Sequence, residues 1–513
     1  MNQRATDASH ILKEIDEGRC QYVDLQFTDV AGAVKSVVLP ARQLGETLAY
    51  GHWFDGSSLE GTARTMETDL LLRPDLRTWG ILPWTGPDGA STARLLCDVR
   101  TPDGEPYPAD PRGVLQRVHE EAVELGFSYH VASEVEFYLF YPPQLTPSRA
   151  VRSAAAPHAV HAPAFRPHGF VPRSLGGASP ATQGAPAGGS PARAEQPSHV
   201  TSRPADQGGY FDLAPDPDGR IRDEVTQALQ ALGVPVAASH HEIGPGQHEI
   251  DIPLLPAVAA ADAIVTCKFA VRAVARRRGL VATFMPKPRP DAAGSGLHLH
   301  QSLQTSGVRD ALGDPADEHG LSATGRAFIA GQLAHARAMC GVLAPTVNSY
   351  KRLGRGFDAP SYLVWGHTNP LAVIRVPQTL HRRRAALARQ GTETAEPLEP
   401  LQPELRCADP SCNPYLALAS ALAASLDGIR ANLALPAPVE PSGATGMTLD
   451  ETQVELLPSS LGEALGELEW DPVVRQALGA PVFERLLLAK EREWQEYRRQ
   501  VSPWELARYF ESA

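Results

Sequence analysis

The sequence predicts an α+β protein in which a β-rich opening precedes a larger body of interleaved strands and helices. Residues 22–39 alternate apolar and polar side chains on both sides of a turn at 29–32, as a β-hairpin does. A change in composition at 102–108 indicates a domain boundary near residue 107. Two domains are therefore expected, at 1–107 and 108–513.

Residues typical of helix starts and ends predict the first helix of the second domain. Asp110 is a suitable helix N-cap, Pro111 suits the first turn, and Gly126 ends the apolar stripe between them. Further periodic segments predict strands at 133–140, 282–285 and 297–303, and helices at 257–278, 414–429 and 482–499.

Composition and charge exclude several functional classes. The 513 residues carry 47 basic and 59 acidic side chains, a net charge of −12, which disfavours nucleic-acid or anionic-membrane binding through bulk electrostatics. The first residues are charged, and no apolar run approaches the ~18 residues of a membrane span. The six cysteines include no CxxC pair. A cytoplasmic protein with no membrane or nucleic-acid partner is expected.

One segment differs from the rest in composition. Residues 142–206 are rich in Pro, Ala and Gly and have no sustained apolar period. Such a segment cannot bury enough apolar surface to offset the entropy of ordering, so a disordered insertion without chemistry is expected at 142–206. A shorter solvated loop is expected at 379–403.

Paired carboxylates give the first sign of chemistry. On the predicted strand at 133–140, Glu134 and Glu136 share one face, because side chains alternate along a strand. Two carboxylates so close repel unless one is protonated or a cation lies between them, so a divalent metal or a solvent-facing edge strand accounts for the pair.

Two further motifs supply similar groups. In HHEIGPGQHEI a Gly-Pro-Gly turn separates Glu242 from Glu249 and lets both return to one point, although a polar loop accounts for the motif equally well. In GSGLHLHQS, His298, His300 and Ser302 share one strand face, which favours a site over isolated polar groups.

These donors suit Mg²⁺ or Mn²⁺, because hard oxygen ligands predominate over imidazole. Arg352, Arg375 and Arg406 add the positive charge that phosphoryl transfer requires. The chain has no GxxxxGK[ST] loop, so a P-loop nucleotide site is excluded.

The motifs as a set resemble type I glutamine synthetases. The ordered blocks that carry this resemblance are WFDGSSLEG (53–61), SEVEFYLF (133–140), GGYFDLAP (208–215), HHEIGPGQHEI (240–250), TFMPKP (283–288), GSGLHLHQS (294–302), NSYKRL (348–353), ELRCADPSCNPYLA (404–417) and EWQEYRRQVSPWEL (493–506). The resemblance implies a small β-grasp N-terminal domain, a large catalytic α+β domain and a dodecamer with active sites between subunits.

The resemblance also implies a role for individual residues. It assigns one metal to Glu136, Glu242 and Glu249, and the other to Glu134, His298 and Glu404. ATP contacts are implied for His300, Ser302 and Arg375, and glutamate contacts for Gly294, Arg352 and Arg406. Asp55 of an adjacent subunit is implied to bind ammonium, and Asp358 to shield the intermediate and accept a proton. The implied reaction makes glutamine from glutamate, ammonia and ATP through γ-glutamyl phosphate.

Four positions depart from the family pattern. Pro370 replaces an arginine, Ala293 an asparagine, Ala237 a glutamate and Asp358 a glutamate. These changes leave two alternatives open beside glutamine synthetase. One is a γ-glutamyl ligase that uses a polyamine or another amine, and the other is a non-catalytic paralogue. Asp55 favours ammonia as the acceptor.

Overall fold

The structure is a computed structural model that describes residues 7–60, 69–84, 89–142, 206–211, 219–307, 310–354, 359–377, 400–441 and 454–512. The expected insertion at 142–206 lies almost wholly outside these ranges, as do Asp358 and most of the expected loop at 379–403.

The N-terminal part is built on a sheet that, within the described residues, has six strands in the order β2-β1-β6-β4-β3, with β5 paired to β6. The predicted hairpin is confirmed, since β1 and β2 pair antiparallel. Alternate residues of β1, Val23 and Leu25, enter a hydrophobic core beneath helix α1. The elements of this part are α1 (Ala8–Asp16), β1 (Tyr22–Thr28), β2 (Val34–Pro40), α2 (Leu44–Tyr50), β3 (His52–Asp55), β4 (Asp69–Pro74), β5 (Gly80–Ile81) and β6 (Thr92–Arg100).

The larger part is built on a second sheet, which in the described ranges has eight strands in the order β12-β13-β14-β11-β7-β9-β8, with β10 on β7. Its strands are β7 (Ser128–Phe140), β8 (Ala238–His241), β9 (Gln247–Pro256), β10 (Val281–Thr283), β11 (Leu297–Gln304), β12 (Tyr362–Gly366), β13 (Ala372–Arg375) and β14 (Glu404–Leu405). Strand β7 begins five residues before its predicted start at 133, and β10 ends before its predicted end at 285.

Helices pack against this sheet and against one another. They are α3 (Pro111–Glu124), α4 (Gly219–Ala231), α5 (Ala257–Arg277), α6 (Ala323–Leu343), α7 (Ser349–Arg352), α8 (Pro414–Ala431), α9 (Leu461–Trp470), α10 (Pro472–Leu478) and α11 (Ala480–Arg498). Asp110 caps α3 as predicted, accepting a hydrogen bond from Arg112 N. Val131, Val135 and Phe137 of β7 enter the core under these helices, so Glu134 and Glu136 point to the other face.

The chain divides into two compact units, and the described part of the second is the C-terminal segment 502–512. This segment contains helix α12 (Pro503–Tyr509), which begins with a capping box between Ser502 and Glu505. No helix within the described residues is long and apolar enough to cross a membrane.

Candidate active site

Strand pairing brings the predicted ligand residues together on the face of the second sheet opposite Val135 and Phe137. His298 of β11 lies directly opposite Glu134 of β7. On the other edge of β7, Glu249 of β9 lies opposite Glu136. Because directly opposed side chains in an antiparallel pair are close neighbours, the register alone places these four groups in one patch.

The first group of donors surrounds Glu134. Its Oε2 accepts a hydrogen bond from His298 Nδ1 at 2.8 Å, and its Oε1 accepts one from His300 Nε2 at 2.8 Å. Glu404 Oε1 lies 3.4 Å from His298 Nδ1. One donor atom each from Glu134, His300 and Glu404 lies within 4.8 Å of the others, a spacing that suits a metal ion. Both imidazoles therefore adjoin this group.

The second group surrounds the Gly-Pro-Gly turn. His240 Nε2 lies 3.2 Å from Glu249 Oε1, and its Nδ1 lies 3.3 Å from Glu242 Oε1. These three residues also meet the spacing of a metal site. Sequence reasoning assigned no role to His240. Its position follows from the pairing of β8 with β9, which sets His240 opposite Glu249.

Burial disfavours the charged forms of the two carboxyl groups in this second group. Burial, followed by the charge of Glu136, raises the pKa of Glu242 to about 8. Burial and the charges of Glu136 and Glu134 raise the pKa of Glu249 well above its ordinary value. A divalent cation would relieve this repulsion, and carboxylate oxygens with one or two imidazoles are donors that Mg²⁺ and Mn²⁺ accept. The residues present therefore fit the metals.

Glu134 behaves differently from these two carboxyl groups. Burial alone would raise its pKa, but the hydrogen bonds and charges of His298 and His300 outweigh burial and hold the pKa of Glu134 well below its ordinary value. The patch thus holds one carboxyl group whose pKa is lowered beside two whose pKa is raised. Metal binding to the second group would compete with protons at its two carboxyl groups.

The three predicted arginines converge on the same patch. Arg375 Nε lies 2.8 Å from Glu404 Oε2, and Arg406 Nε lies 3.1 Å from Glu404 Oε1. Arg352 is 6% exposed and donates to the carbonyls of Ala408 and Arg406 at 3.0 and 3.1 Å. Their guanidinium groups supply positive charge on one side of the carboxylates.

Gly296 lies where these groups meet. A Cβ at this position would be 2.5 Å from Arg352 Nη2, 2.9 Å from His298 Nε2 and 3.1 Å from Glu136 Oε1. Only a glycine leaves room for an arginine, an imidazole and a carboxylate around one point of the backbone. Sequence reasoning described the Gly-rich turn but did not single out Gly296.

A hydrogen-bonded chain positions the neighbouring loop that carries Ala293 and Gly294. Tyr138 Oη donates to Ala293 O at 2.7 Å, and Gln247 Nε2 donates both to Gly294 O at 3.0 Å and to Glu136 Oε2 at 2.9 Å. Gln247 therefore links a predicted metal ligand to the predicted substrate loop. No separate signal in the sequence pointed to Gln247.

Under the second group lies a buried charged cluster of Asp206, His241 and His248. His241 Nε2 lies 2.7 Å from Asp206 Oδ1 and His241 Nδ1 lies 2.6 Å from Glu242 O. His241 thus lies between two acceptors and joins Asp206 to the backbone at Glu242. Gly246 N also donates to Asp206 Oδ1 at 2.9 Å.

His248 completes this cluster as a neutral ring. Its Nδ1 accepts from Arg222 Nη1 at 2.8 Å, which leaves the proton on Nε2, 3.4 Å from Asp206 Oδ2. Burial alone would raise the pKa of Asp206, but hydrogen bonds from His241, His248 and Gly246 hold it well below its ordinary value. The cluster fixes the backbone at Glu242 from beneath.

The remaining predicted residues lie in different places. Ser302 is buried on β11, two residues beyond His300. Asp55 ends β3 in the other sheet, where its Oδ1 accepts from Ser57 N at 3.0 Å. Asp358 lies outside the described residues. Pro370 is exposed, and its carbonyl accepts a hydrogen bond from Arg406 Nη1.

Sequence comparison decides the family. The profile of the glutamine synthetase catalytic domain matches residues 108–509, and that of the glutamine synthetase beta-grasp domain matches residues 19–102. The chain belongs to the glutamine synthetase family. The resemblance seen in the motifs and the predicted fold, a β-grasp domain followed by an α+β catalytic domain, are thereby confirmed.

Relatives named glutamine synthetase match this family member over nearly its whole length. The protein from Thermus thermophilus is 40% identical over 508 residues, which are 98% of each chain. The protein from Thermotoga maritima is 38% identical, over 97% of this chain and 98% of its own. The chain is therefore a ligase of the glutamine synthetase family.

Solved structures of GmaS are also similar to this glutamine synthetase family member. The structure of GmaS with ADP has a TM-score of 0.75 and 26% sequence identity, covering 98% of this chain and 99% of its own. Apo GmaS has a TM-score of 0.73 at the same identity, over 99% of this chain and 100% of its own. The likeness extends through both sheets.

Proposed function

We propose that this chain is an ATP-dependent ligase that makes glutamine from glutamate and ammonia through γ-glutamyl phosphate. The observation that carries the proposal is the convergence of six predicted metal ligands on one sheet face beside Arg375 and Arg406. The relatives named glutamine synthetase, matched along almost their whole length, support the same reaction.

Two divalent cations are proposed at this face, Mg²⁺ or Mn²⁺. Glu136, Glu242 and Glu249 would hold one, and Glu134, His298 and Glu404 the other. The ions would neutralise the phosphates of ATP and so make its γ-phosphoryl group transferable. The pKa values of Glu242 and Glu249, raised by burial and by the charge of Glu136, support a cation in the first set.

The arginines are proposed to orient and stabilise the reacting groups. Arg375, placed 2.8 Å from Glu404, would contact the transferred phosphoryl group, while His300 and Ser302 would contact ATP. Arg352 and Arg406 would bind the carboxylates of glutamate, and Gly294 would contact it through backbone. A guanidinium fixed by backbone carbonyls, as Arg352 is, can meet a carboxylate without reorganising.

Transfer of the phosphoryl group converts the γ-carboxylate of glutamate into an acyl phosphate, because a carboxylate oxygen becomes a leaving group only when phosphorylated. Ammonia then attacks the acyl carbon and phosphate departs. Asp55 is proposed to bind ammonium and take its first proton, and Asp358 to shield the intermediate and take the second. We place Asp55 in the site of an adjacent subunit, within a dodecamer whose protomers comprise domains 1–107 and 108–513.

A second candidate is a γ-glutamyl ligase with a polyamine or another amine as acceptor. Pro370 favours it, because this position contributes only a backbone carbonyl to Arg406 and no cationic side chain. Ala293 likewise offers the neighbouring loop no polar side chain. The similarity to solved GmaS structures supports a related ligase in the same way.

One assay separates the two candidates. Purified full-length protein is given Mg²⁺, ATP and glutamate, and phosphate release is measured with ammonium and with a panel of amines. Turnover with ammonium far above every amine supports glutamine formation. Higher turnover with an amine replaces it with the second candidate, and no turnover with any acceptor overturns both in favour of a non-catalytic paralogue.

A further inference from the structure

A cavity of about 480 Å³ lies between the β1–β2 turn and helix α5, and none of the proposed metal ligands lines it. We name it the Lys268 cavity and define it by six of its lining residues: Lys268, Arg272, Phe284, Asn348, Ser411 and Glu493. Its volume is in the range that small-molecule sites occupy. Nothing in the proposed reaction uses these side chains.

Lys268 is unusual for a buried cation. It is 7% exposed, and the hydrogen bond that its Nζ makes is a long one, 3.4 Å to Cys412 O. An ammonium group has three donors, and burying it without a counter-ion is costly. Burial, together with the charge of Arg272, lowers the pKa of Lys268. Among the described residues, the Lys268 ammonium therefore finds partners for only part of its hydrogen-bonding capacity.

A second cation stands one helical turn away. Arg272 follows Lys268 by four residues on α5, so both side chains share a face of the helix and repel each other. The Arg272 guanidinium lies over the ring of Phe284, 4.9 Å from its centroid. Lys268 thus lies deep in the cavity, and the more exposed Arg272 lies nearer its mouth.

Nearby carboxylates do not neutralise this pair. Glu493 lines the cavity, but its Oε2 is bound by Lys490 Nζ at 2.9 Å and its Oε1 accepts from Val347 N at 3.2 Å. Asp409 is turned to Ser411, whose backbone N–H donates to it at 2.9 Å. Among the described residues, no carboxylate oxygen forms an ion pair with Lys268 or Arg272.

We infer that the Lys268 cavity binds a small oxyanion, the phosphate or carboxylate group of a metabolite, between Lys268 and Arg272. The ammonium and the guanidinium would both donate to the anion, and the polar residues Ser411 and Asn348 also line the cavity. An anion here would supply the ion-pair partner that neither cation has among the described residues. Its occupancy would remove the repulsion between the two cations.

The cavity also adjoins the predicted substrate loop. The side chain of Asn348 makes two hydrogen bonds to the backbone of Lys287. Its Oδ1 accepts from the N–H at 2.7 Å, and its Nδ2 donates to the carbonyl at 3.1 Å. Pro286, another lining residue, accepts from Ser295 N at 2.8 Å. The bound anion would therefore lie beside Pro286 and Lys287, the segment that helps to hold the loop containing Gly294 in place.

The test measures anion binding directly, so its outcome is independent of the reaction. Full-length protein is titrated with radiolabelled inorganic phosphate and, separately, with malonate, and thermal unfolding is followed in parallel. Lys268→Met and Arg272→Gln should each weaken binding about tenfold or more, since each removes a charged donor. Arg276→Gln, a matched loss of charge on the same helix outside the cavity, should bind as the wild type does.

Arg375→Gln separates this site from the phosphate site of the reaction, because binding at the Lys268 cavity should survive it. Lys268-dependent binding of phosphate identifies a phosphate-bearing ligand, and Lys268-dependent binding of malonate alone identifies a carboxylate. Binding that is equal in the wild type, Lys268→Met and Arg272→Gln for both anions overturns the inference. Arg272 lies nearer the surface, so its variant keeps the test valid if Lys268→Met fails to fold.

Discussion

Glu136 and Glu249 lie directly opposite each other on the antiparallel strands β7 and β9. They are 8% and 6% exposed, so water screens neither carboxylate well. Like charges in directly opposed positions destabilise a sheet. The burial of Glu249 and the charge of Glu136 accordingly raise the pKa of Glu249 well above its ordinary value. The repulsion between these two carboxylates can be relieved only by protons or by a cation.

Substitution of Glu249 tests the metal assignment. Gln imitates the protonated carboxyl that the raised pKa favours, so Glu249→Gln should leave metal-free thermal stability close to that of the wild type. Mn²⁺ at a hundredfold excess over its Kd should stabilise the wild type by about 2.7 kcal/mol, and the variant should lose most of this gain.

Thermal unfolding with and without Mn²⁺ measures the effect, and ligase turnover should fall in parallel. Glu120→Gln removes the same charge from an exposed position of α3 and should behave as the wild type does. Full Mn²⁺ stabilisation and turnover in Glu249→Gln would refute the assignment of Glu249.

Asp206 offers a second test, because its negative charge lies against His241 beneath Glu242. Asp206→Asn removes that charge and should loosen the turn between Glu242 and Glu249. Loss of a residue that holds a metal ligand in place typically weakens metal affinity 10–100-fold, so calorimetric titration with Mn²⁺ should show a drop of at least about tenfold. Asp223→Asn, on the exposed face of α4, is the control. Unchanged affinity in Asp206→Asn would show that the cluster does not position the site.

Stability should depend on pH through His335. Its Nδ1 lies 2.6 Å from Asp471 Oδ2 and its Nε2 3.2 Å from Asp427 Oδ2. Burial alone would lower the pKa of His335, but these two carboxylates outweigh burial and raise it. A histidine whose pKa is raised in the folded state contributes its full stabilisation below the unfolded-state pKa of about 6.5. This stabilisation is lost as the pH rises through the folded-state pKa.

As the pH rises above neutrality, the free energy of unfolding of the wild type should therefore fall by about 1 kcal/mol more than that of His335→Gln. Denaturant unfolding across that range measures the difference, with His10→Gln, an exposed histidine of α1, as control. Parallel pH profiles for the wild type and His335→Gln would contradict this linkage.

Pro370 tests the choice of acceptor. Loss of one charged donor in such a site typically costs ~10²–10³ in rate, so Pro370→Arg should raise ammonium-dependent kcat/KM for glutamate at least about tenfold over Pro370→Ala. Both variants keep the backbone carbonyl that accepts from Arg406. An equal or lower rate in the arginine variant would show that this position does not limit glutamine formation.

Local periodicity was enough to predict part of the candidate site. Alternation along β7 places Glu134 and Glu136 on one face, and the i, i+2 spacing does the same for His298 and His300. Their mutual positions depend on register between strands far apart in the chain. The single-sequence pattern does not encode that register, and the family resemblance supplied it.

Other features needed the folded chain. His240 reaches Glu249 only because β8 pairs with β9. Asp206 lies 35 positions before its partner His241, and helix α4 lies between them in the chain. Strand β7 begins at Ser128 because its pairing with β11 continues as far as Gln304, and Tyr129 and Val131 keep the alternation of buried residues. The positions of His240 and Asp206 depend on long-range contacts that a local pattern does not specify.

The central claim is that ATP activates the γ-carboxylate of glutamate as an acyl phosphate. The most direct measurement uses glutamate labelled with ¹⁸O in that carboxylate, with ATP, Mg²⁺ and ammonium, and follows the label into inorganic phosphate by mass spectrometry. We predict one ¹⁸O atom in each phosphate released per glutamine formed. Phosphate without label, or phosphate release without an ammonium-dependent amide product, would contradict the account.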